Sequence, residues 1–283
     1  MHRGWAGSIA LVLLGSLVGC GGDGPPPGSG RYVALGDSFV SGPAISKQDP
    51  NALACLRSDR NYPSLVAKQL KWKEFVDVSC GGATTETMRS GRVTAQGESI
   101  RPQLDALTVD TDLVTVGVGG NDEGAATNLF TFCLIKATAT DAKCRAFSAA
   151  YVKTVEDSSR DRVRSILSEI KGRAPEAKIF LVGYLRIVPD QGDCPDLPMS
   201  ETSRAAAMEV EKAFGSALKS AARAADVPFI DVRPGSRGHD ACAGQEAWVN
   251  GIENPPGDGA FLHPNAAGMR YVAKAVEKAL ERS

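Results

Sequence analysis

Ser38 stands in the stretch ALGDSFVSG (residues 34–42), directly after a run of β-forming residues, RYVALGD from Arg31. A hydroxyl at a strand end, flanked by Gly36 and Asp37, fits two readings. Gly, Asp and Ser are all at home in a tight turn, and a tripeptide alone is a weak signal. The other reading is a nucleophile, which needs a base to take its proton and donors to hold the oxyanion that its attack creates. Bases are scarce, because the chain has three histidines: His2, His239 and His263. His2 falls in an N-terminal segment that reads as a removed signal. His239 lies in SRGHDACAG beside Cys242, in what reads as a disulfide-pinned surface loop. His263 lies in AFLHPNAAGMRYV, immediately ahead of a helical pattern with Asn265 available as N-cap. A histidine in that position can be held rigidly while its ring faces a cleft, so His263 is the better base.

Two glycine-containing stretches offer the donors. In SCGGATTETM, Gly81 and Gly82 allow close backbone approach to a ligand and can aim N–H groups into a pocket, although a plain glycine turn would look the same. In VGVGGNDEG the glycines invite a dinucleotide reading, but G-x-G-x-x-G fails, since after Gly117 and Gly119 the required position holds Asp122. The first strand-to-helix turn, where that fingerprint belongs, holds GDS instead. Asn121 is then free to present its side-chain amide at a strand end, as an oxyanion donor would.

Such residues need a scaffold that brings strand ends together. Strand-like runs occur at 31–36, 75–80, 113–118, 178–185 and 227–232, most of them continuously apolar and β-branched, as expected for strands covered on both faces. Between them lie helical patterns. NYPSLVAKQLKW starts with Asn61, and 146–172 puts Tyr151, Val155, Val163, Ile166, Leu167 and Ile170 on one stripe. MSETSRAAAMEVEKAFGSALKSAARAA follows, with Ser200 as N-cap and Thr202 or Ser203 as alternatives, and a last helix runs through MRYVAKAVEKALER. Alternating strands and helices predict an α/β fold with a central, mainly parallel sheet of about five strands and helices on both faces. Sites of such sheets lie at the carboxyl ends of the strands, where Ser38 falls.

The N-terminus sets the destination. Residues 1–19 read as a signal peptide, with Arg3 as a positive n-region and an apolar run from Ile9 to Val18 too short for a typical membrane-spanning helix. LVGC (17–20) is similar to a bacterial lipobox, which implies cleavage before Cys20 and a lipid on its sulfur; a plain secretion signal is the alternative. Residues 20–30 then form the lipidated Cys and a Gly/Pro-rich tether whose coil dimension is roughly 18 Å, followed by one domain over 31–283. No internal repeat, long charge run or second linker divides that domain. The expected location is the outer side of the bacterial cytoplasmic membrane or the cell envelope, or the medium if the lipobox is unused. Losing Arg3 from 32 basic residues leaves 31 against 33 acidic ones, a net formal charge of −2. That balance gives no reason to expect nucleic acid as a partner, and membrane contact is expected through the anchor only. Of seven cysteines Cys20 is the odd one. The even set Cys55, Cys80, Cys133, Cys144, Cys194 and Cys242, in an oxidising compartment and without a CxxC, favours three disulfides, with the pairing left open.

The four stretches around Ser38, Gly82, Asn121 and His263 together resemble the SGNH, or GDSL, hydrolase family. Its first motif matches GDSF with Ser38 as nucleophile, and its second contributes a glycine, matched by Gly82. Its third, G-x-N-D, is matched by Gly119-Gly120-Asn121-Asp122, and its last carries the histidine, matched by His263-Pro264. The order agrees, and the resemblance covers nearly all of 31–283. YVALGDSFVSG, NYPSLVA, CGGATT and HPNAAG look most like the secreted actinobacterial lipases and esterases of that family. The resemblance implies a three-layer, flavodoxin-like α/β/α fold and hydrolysis of a small-molecule or lipid ester through a covalent acyl-enzyme, with no cofactor and no metal. It implies an oxyanion hole from the Ser38 and Gly82 N–H groups and the Asn121 amide. It also implies disulfides paired in sequence order, Cys55–Cys80, Cys133–Cys144 and Cys194–Cys242. There is one departure. The family usually has Asp three residues before the histidine, where this chain has Ala260, and Asp258 is five before. Some members orient the histidine with a backbone carbonyl, so the Ala260 carbonyl and the Asp258 side chain both stay open. Trp248 either lines the acyl pocket or packs in the core. Other readings are an envelope polysaccharide O-deacetylase or a thioesterase of the same mechanism, and a non-catalytic lipid-anchored binding protein.

Overall fold

RYVALG forms strand β1 (Arg31–Gly36), and its side chains divide between two cores. Tyr32 and Ala34 point to one helical layer, Val33 and Leu35 to the other, and all four are fully buried. This is the period-two alternation of a strand covered on both faces. The structure is a computed structural model that describes residues 1–2, 28–253 and 255–283. Cys20, and with it almost all of the expected signal segment 1–19 and tether 20–30, lies outside the described residues.

After β1 a single helical turn, α1 (Ser38–Ser41), leads through a loop to α2 (Tyr62–Leu70) and β2 (Glu74–Asp77). The short α3 (Thr85–Ser90) and a hairpin of β3 (Arg92–Val93) and β4 (Ser99–Ile100) precede β5 (Thr111–Gly117). Then come α4 (Ala125–Leu129), the long α5 (Asp141–Arg173) and β6 (Lys178–Val182). The chain closes with α6 (Glu201–Ala224), β7 (Phe229–Ile230) and α7 (Ala266–Leu280). The main sheet has the order β2-β1-β5-β6-β7, and every neighbouring pair is parallel. Tyr32, Leu113 and Phe180 pack with Val66 of α2 and Val272 and Val276 of α7. Val33, Val114 and Leu181 pack with Ile166 and Ile170 of α5 and Leu218 of α6. The result is the predicted three-layer α/β/α arrangement around a parallel sheet of five strands. The chain moves outward from β1 to β2 and then reverses across β1 to β5, so the switch point lies between β1 and β5.

Side-chain caps start the helices where the sequence placed them. Asn61 accepts from the Ser64 N–H at 3.0 Å, Ser200 from the Ser203 N–H at 3.0 Å and Asn265 from the Gly268 N–H at 3.0 Å. The strand runs are shorter than their apolar stretches. The 227–232 run contributes two paired residues, and β6 accordingly stops at Val182 instead of reaching 185. Gly183 still donates its N–H to the Ile230 carbonyl at 3.0 Å, and Tyr184 and Leu185 lie beyond that last β6–β7 bond, at the carboxyl edge of the sheet. Helix α5 begins at Asp141 rather than 146, because Thr140 caps it by accepting from the Lys143 N–H. Disulfides join Cys55 to Cys80, Cys133 to Cys144 and Cys194 to Cys242. Among the described residues no helix is long and apolar enough to cross a membrane.

Candidate active site

The first turn after β1 is built from its own backbone and from β5. The Asp37 N–H donates to the Gly117 carbonyl at 3.0 Å, which joins the two strand ends at the switch point. Asp37 is almost fully buried, and its carboxylate caps α1 by accepting from the Phe39 N–H at 2.9 Å. Gln103, also buried, pins Gly36 from the side: its Oε1 accepts from the Gly36 N–H at 2.8 Å and its Nε2 donates to the Gly36 carbonyl at 2.9 Å. Ser38 is therefore the first residue of a turn whose two preceding residues are both held in place.

His263 meets it from the far end of the chain. Its Nε2 is 2.8 Å from Ser38 Oγ, and its Nδ1 is 2.7 Å from the Phe261 carbonyl. A carbonyl can only accept, so Nδ1 carries the hydrogen and Nε2 turns its lone pair to the serine. Leu262, fully buried, has φ +56, and this left-handed residue swings the Phe261 carbonyl round to the ring. The imidazole packs against Phe39 and edge-on to Phe130, with centroids at 5.3 and 6.0 Å. That burial pushes its pKa below the usual histidine value, against the opposing pull of the Phe261 carbonyl.

Neither candidate left open by the sequence orients the histidine. The Ala260 carbonyl accepts instead from the His263 N–H and from Asn250 Nδ2, each at 3.3 Å. Asp258 Oδ1 accepts from the Ala266 N–H at 2.8 Å, where α7 begins with unsatisfied donors. Asp258→Asn is accordingly expected to leave ester turnover within about threefold of the parent. An aspartate that held the imidazole would lose about 10⁴-fold on the same change, and steady-state kinetics at pH 8 separates the two outcomes.

Two further strand-end turns complete the site. The Cys80 N–H donates to the Gly36 carbonyl at 2.9 Å and the Gly81 N–H to the Cys55 carbonyl at 2.8 Å, so the Cys80–Gly82 turn is held beside β1. Gly82 has φ +75, and a Cβ there would come within 3.0 Å of Arg92 Nη1. Arg92 braces the turn by donating from Nη2 to the Gly81 carbonyl. Among the described residues, the N–H groups of Ser38 and Gly82 have no protein acceptor. Asn121 Nδ2 donates to the Ala83 carbonyl at 3.0 Å, which engages one of its two hydrogens. Asp122 fixes the same neighbourhood, accepting from the Thr85 N–H at 2.8 Å and from Thr85 Oγ1 at 2.9 Å.

Tyr184, released from β6, ties the turns together. Its hydroxyl donates to Asp37 Oδ2 and accepts from the Gly120 N–H at 3.3 Å. Even with these partners, burial pushes the Asp37 carboxyl up to about 7. Sequence reasoning singled out Ser38, Gly82, Asn121 and His263, and the structure brings all four to the wall of one cleft of about 370 Å³. It missed Tyr184, Gln103, Thr85 and the Phe261 carbonyl; the buried Asp37 and Asp122 were legible only as letters of GDS and GND. His239 and Trp248 are elsewhere: their rings stack at 3.7 Å, and Trp248 stacks in turn on Tyr271 at 4.1 Å, so this tryptophan packs with aromatic neighbours and does not line the cleft. Among the described residues no group of three or more His, Cys, Asp or Glu side chains is placed to hold a metal ion.

Comparison with known proteins gives a consistent match. The profile of the GDSL-like Lipase/Acylhydrolase family matches residues 34–271. The chain is 33% identical over 262 residues to a lipase of Streptomyces rimosus, covering 92% of this chain and 89% of that one. It is 32% identical over 255 residues to Lipase 2 of Streptomyces coelicolor, covering 86% and 83%. Among solved structures, an extracellular lipase from Streptomyces rimosus superposes with a TM-score of 0.77 at 28% identity, covering 89% of this chain and all of that one. A phospholipase A1 from Streptomyces albidoflavus gives 0.76 at 27% identity, covering 88% and 99%.

Proposed function

The chain belongs to the GDSL-like lipase/acylhydrolase family, and from that premise we propose that it hydrolyses carboxylic esters through a covalent acyl-enzyme on Ser38. The observation that carries the reading is the 2.8 Å contact of Ser38 Oγ with His263 Nε2, backed by the carbonyl on Nδ1. Ser38 Oγ attacks the ester carbonyl while its proton passes to Nε2. The imidazolium that forms is held by the Phe261 carbonyl. Negative charge on the former carbonyl oxygen is met by the Ser38 and Gly82 N–H groups and by the second amide hydrogen of Asn121. The tetrahedral species collapses, the alcohol leaves with the proton from Nε2, and water deacylates the serine by the reverse route. No step in this sequence calls for a metal or cofactor.

An apolar cleft supports a lipid-derived or short aliphatic ester, in keeping with relatives named lipase and phospholipase A1. Three disulfides and an extracellular relative support an exported protein. Within that setting we propose a signal at 1–19 and a lipid on Cys20. A Cys20→Ser variant then moves from the membrane fraction to the medium, and a variant that still sediments with membranes contradicts the anchor.

Because burial lowers the His263 pKa, its neutral form persists further into acid than an ordinary imidazole. The acid limb of kcat/KM is expected below the ordinary value of 6.5, with activity lost as pH falls through it. A limb centred above 6.5 contradicts the assignment. The first experiment is hydrolysis of p-nitrophenyl esters from acetate to palmitate, with Ser38→Ala as control. Turnover that vanishes in the control supports the serine mechanism; turnover that persists, or a folded parent inactive on every ester, refutes it.

A further inference from the structure

Helix α6 carries a glycine at its middle, Gly215, where alanine would stabilise the helix. Val210, Glu211, Phe214 and Leu218 lie on the same face, and all four line the cleft that holds Ser38. A Cβ on Gly215 would meet nothing within 4 Å, so the gap in that face is open space. The cleft continues from Ser38 at the end of β1, past Tyr184, to Phe229 on β7. From β1 to β7 the sheet order counts three strand steps, roughly 14 Å, the length of an extended chain of about ten carbons. At the far end the apolar wall gives way to an ion pair, Arg233 Nη1 to Glu211 Oε2 at 2.6 Å. Glu211 is fixed there by the Ile187 and Val188 N–H groups, which donate to its Oε1 at 3.0 and 3.2 Å.

We propose that this arm of the cleft holds the acyl chain of the substrate, and that the missing side chain at Gly215 sets how long a chain fits. The Glu211–Arg233 pair is the stop, because an alkyl chain gains nothing by pressing against charge. The proposal rests on the ester-hydrolase reading and adds to it a medium-chain preference with a named residue behind it. Phe214 contributes to the same wall; its ring stacks edge-on against Tyr184 at 5.1 Å and so joins the arm to the turn that carries Ser38.

The test compares p-nitrophenyl decanoate with butyrate on the full-length protein. Each methylene denied burial weakens discrimination by about fourfold, so Gly215→Leu, which blocks at least two, lowers the decanoate-to-butyrate ratio of kcat/KM by about tenfold or more. Gly215→Ala, which favours the helix and therefore folds, lowers the same ratio by about two- to fivefold. An unchanged ratio in the folded alanine and leucine variants overturns the acyl site and leaves the ester-hydrolase reading standing. A parent inactive on both esters overturns that reading, and the acyl site with it.

Discussion

Ser38→Ala and His263→Ala each lower ester turnover by about 10⁶-fold, and the double variant loses no more than either alone. The reason is that the two side chains act as one unit. Without Nε2 at 2.8 Å the hydroxyl keeps its proton and is a poor nucleophile; without the hydroxyl there is nothing to acylate. What remains is the oxyanion-binding contribution, which is why the losses do not multiply. Neither change should unfold the protein, since His263 contributes no structural cap and Ser38 Oγ contacts only the imidazole. Steady-state hydrolysis of a short ester, with thermal unfolding as the fold control, measures both effects. A variant that folds and keeps more than about one part in a hundred of parental turnover would falsify the pairing.

Asn121→Ala comes next, with an expected loss of about 10²–10³-fold in kcat. One amide hydrogen goes to the Ala83 carbonyl, and that bond fixes the direction of the other. The free hydrogen matters only once charge has built up on the substrate oxygen, so kcat and kcat/KM should fall together while KM holds steady. A structural contribution is separable. Loss of the Ala83 bond lowers the melting temperature, and Asn121→Asp, which can no longer donate, loses activity as severely as the alanine variant. Raised KM with unchanged kcat would assign Asn121 to ground-state binding and remove it from the oxyanion hole.

Three of the four motifs were legible because strand ends carry them. The apolar, β-branched runs at 31–36, 75–80 and 113–118 each terminate in a small-residue turn, and a parallel sheet necessarily collects such turns along one edge. His263 was legible from its place just ahead of a helix. N-caps at Ser200 and Asn265 were readable for the same local reason, since a side-chain acceptor beside an exposed helix start is visible in the sequence. The partner of His263 was not. A backbone carbonyl leaves no residue signature, and the offset that matters is two residues, reached only because buried Leu262 takes a left-handed conformation. Asp258, the side chain left open beside the Ala260 carbonyl, is occupied by the first turn of α7. Tyr184 was hidden differently. It sits in an apolar run that reads as strand to its end, and its hydroxyl acquires partners only because β7 pairs so briefly that β6 lets go. α3, α4 and the β3–β4 hairpin escaped notice because elements of two to six residues carry no readable period.

The Phe261 carbonyl has a genetic consequence. Two members of the proposed triad are side chains and can be deleted by a single codon change; the third belongs to the main chain and survives whatever residue is encoded at 261. Phe261 is itself partly exposed and lines the cleft, so that position answers to the packing of its ring and the shape of the cleft wall, not to the hydrogen bond its carbonyl makes. Within the triad, a saturation screen for lost hydrolysis would report two intolerant positions where chemistry uses three. The hidden one would surface one residue downstream, at Leu262. Proline there cannot adopt φ +56, and the screen would register a change of backbone shape as though it were the loss of a functional group.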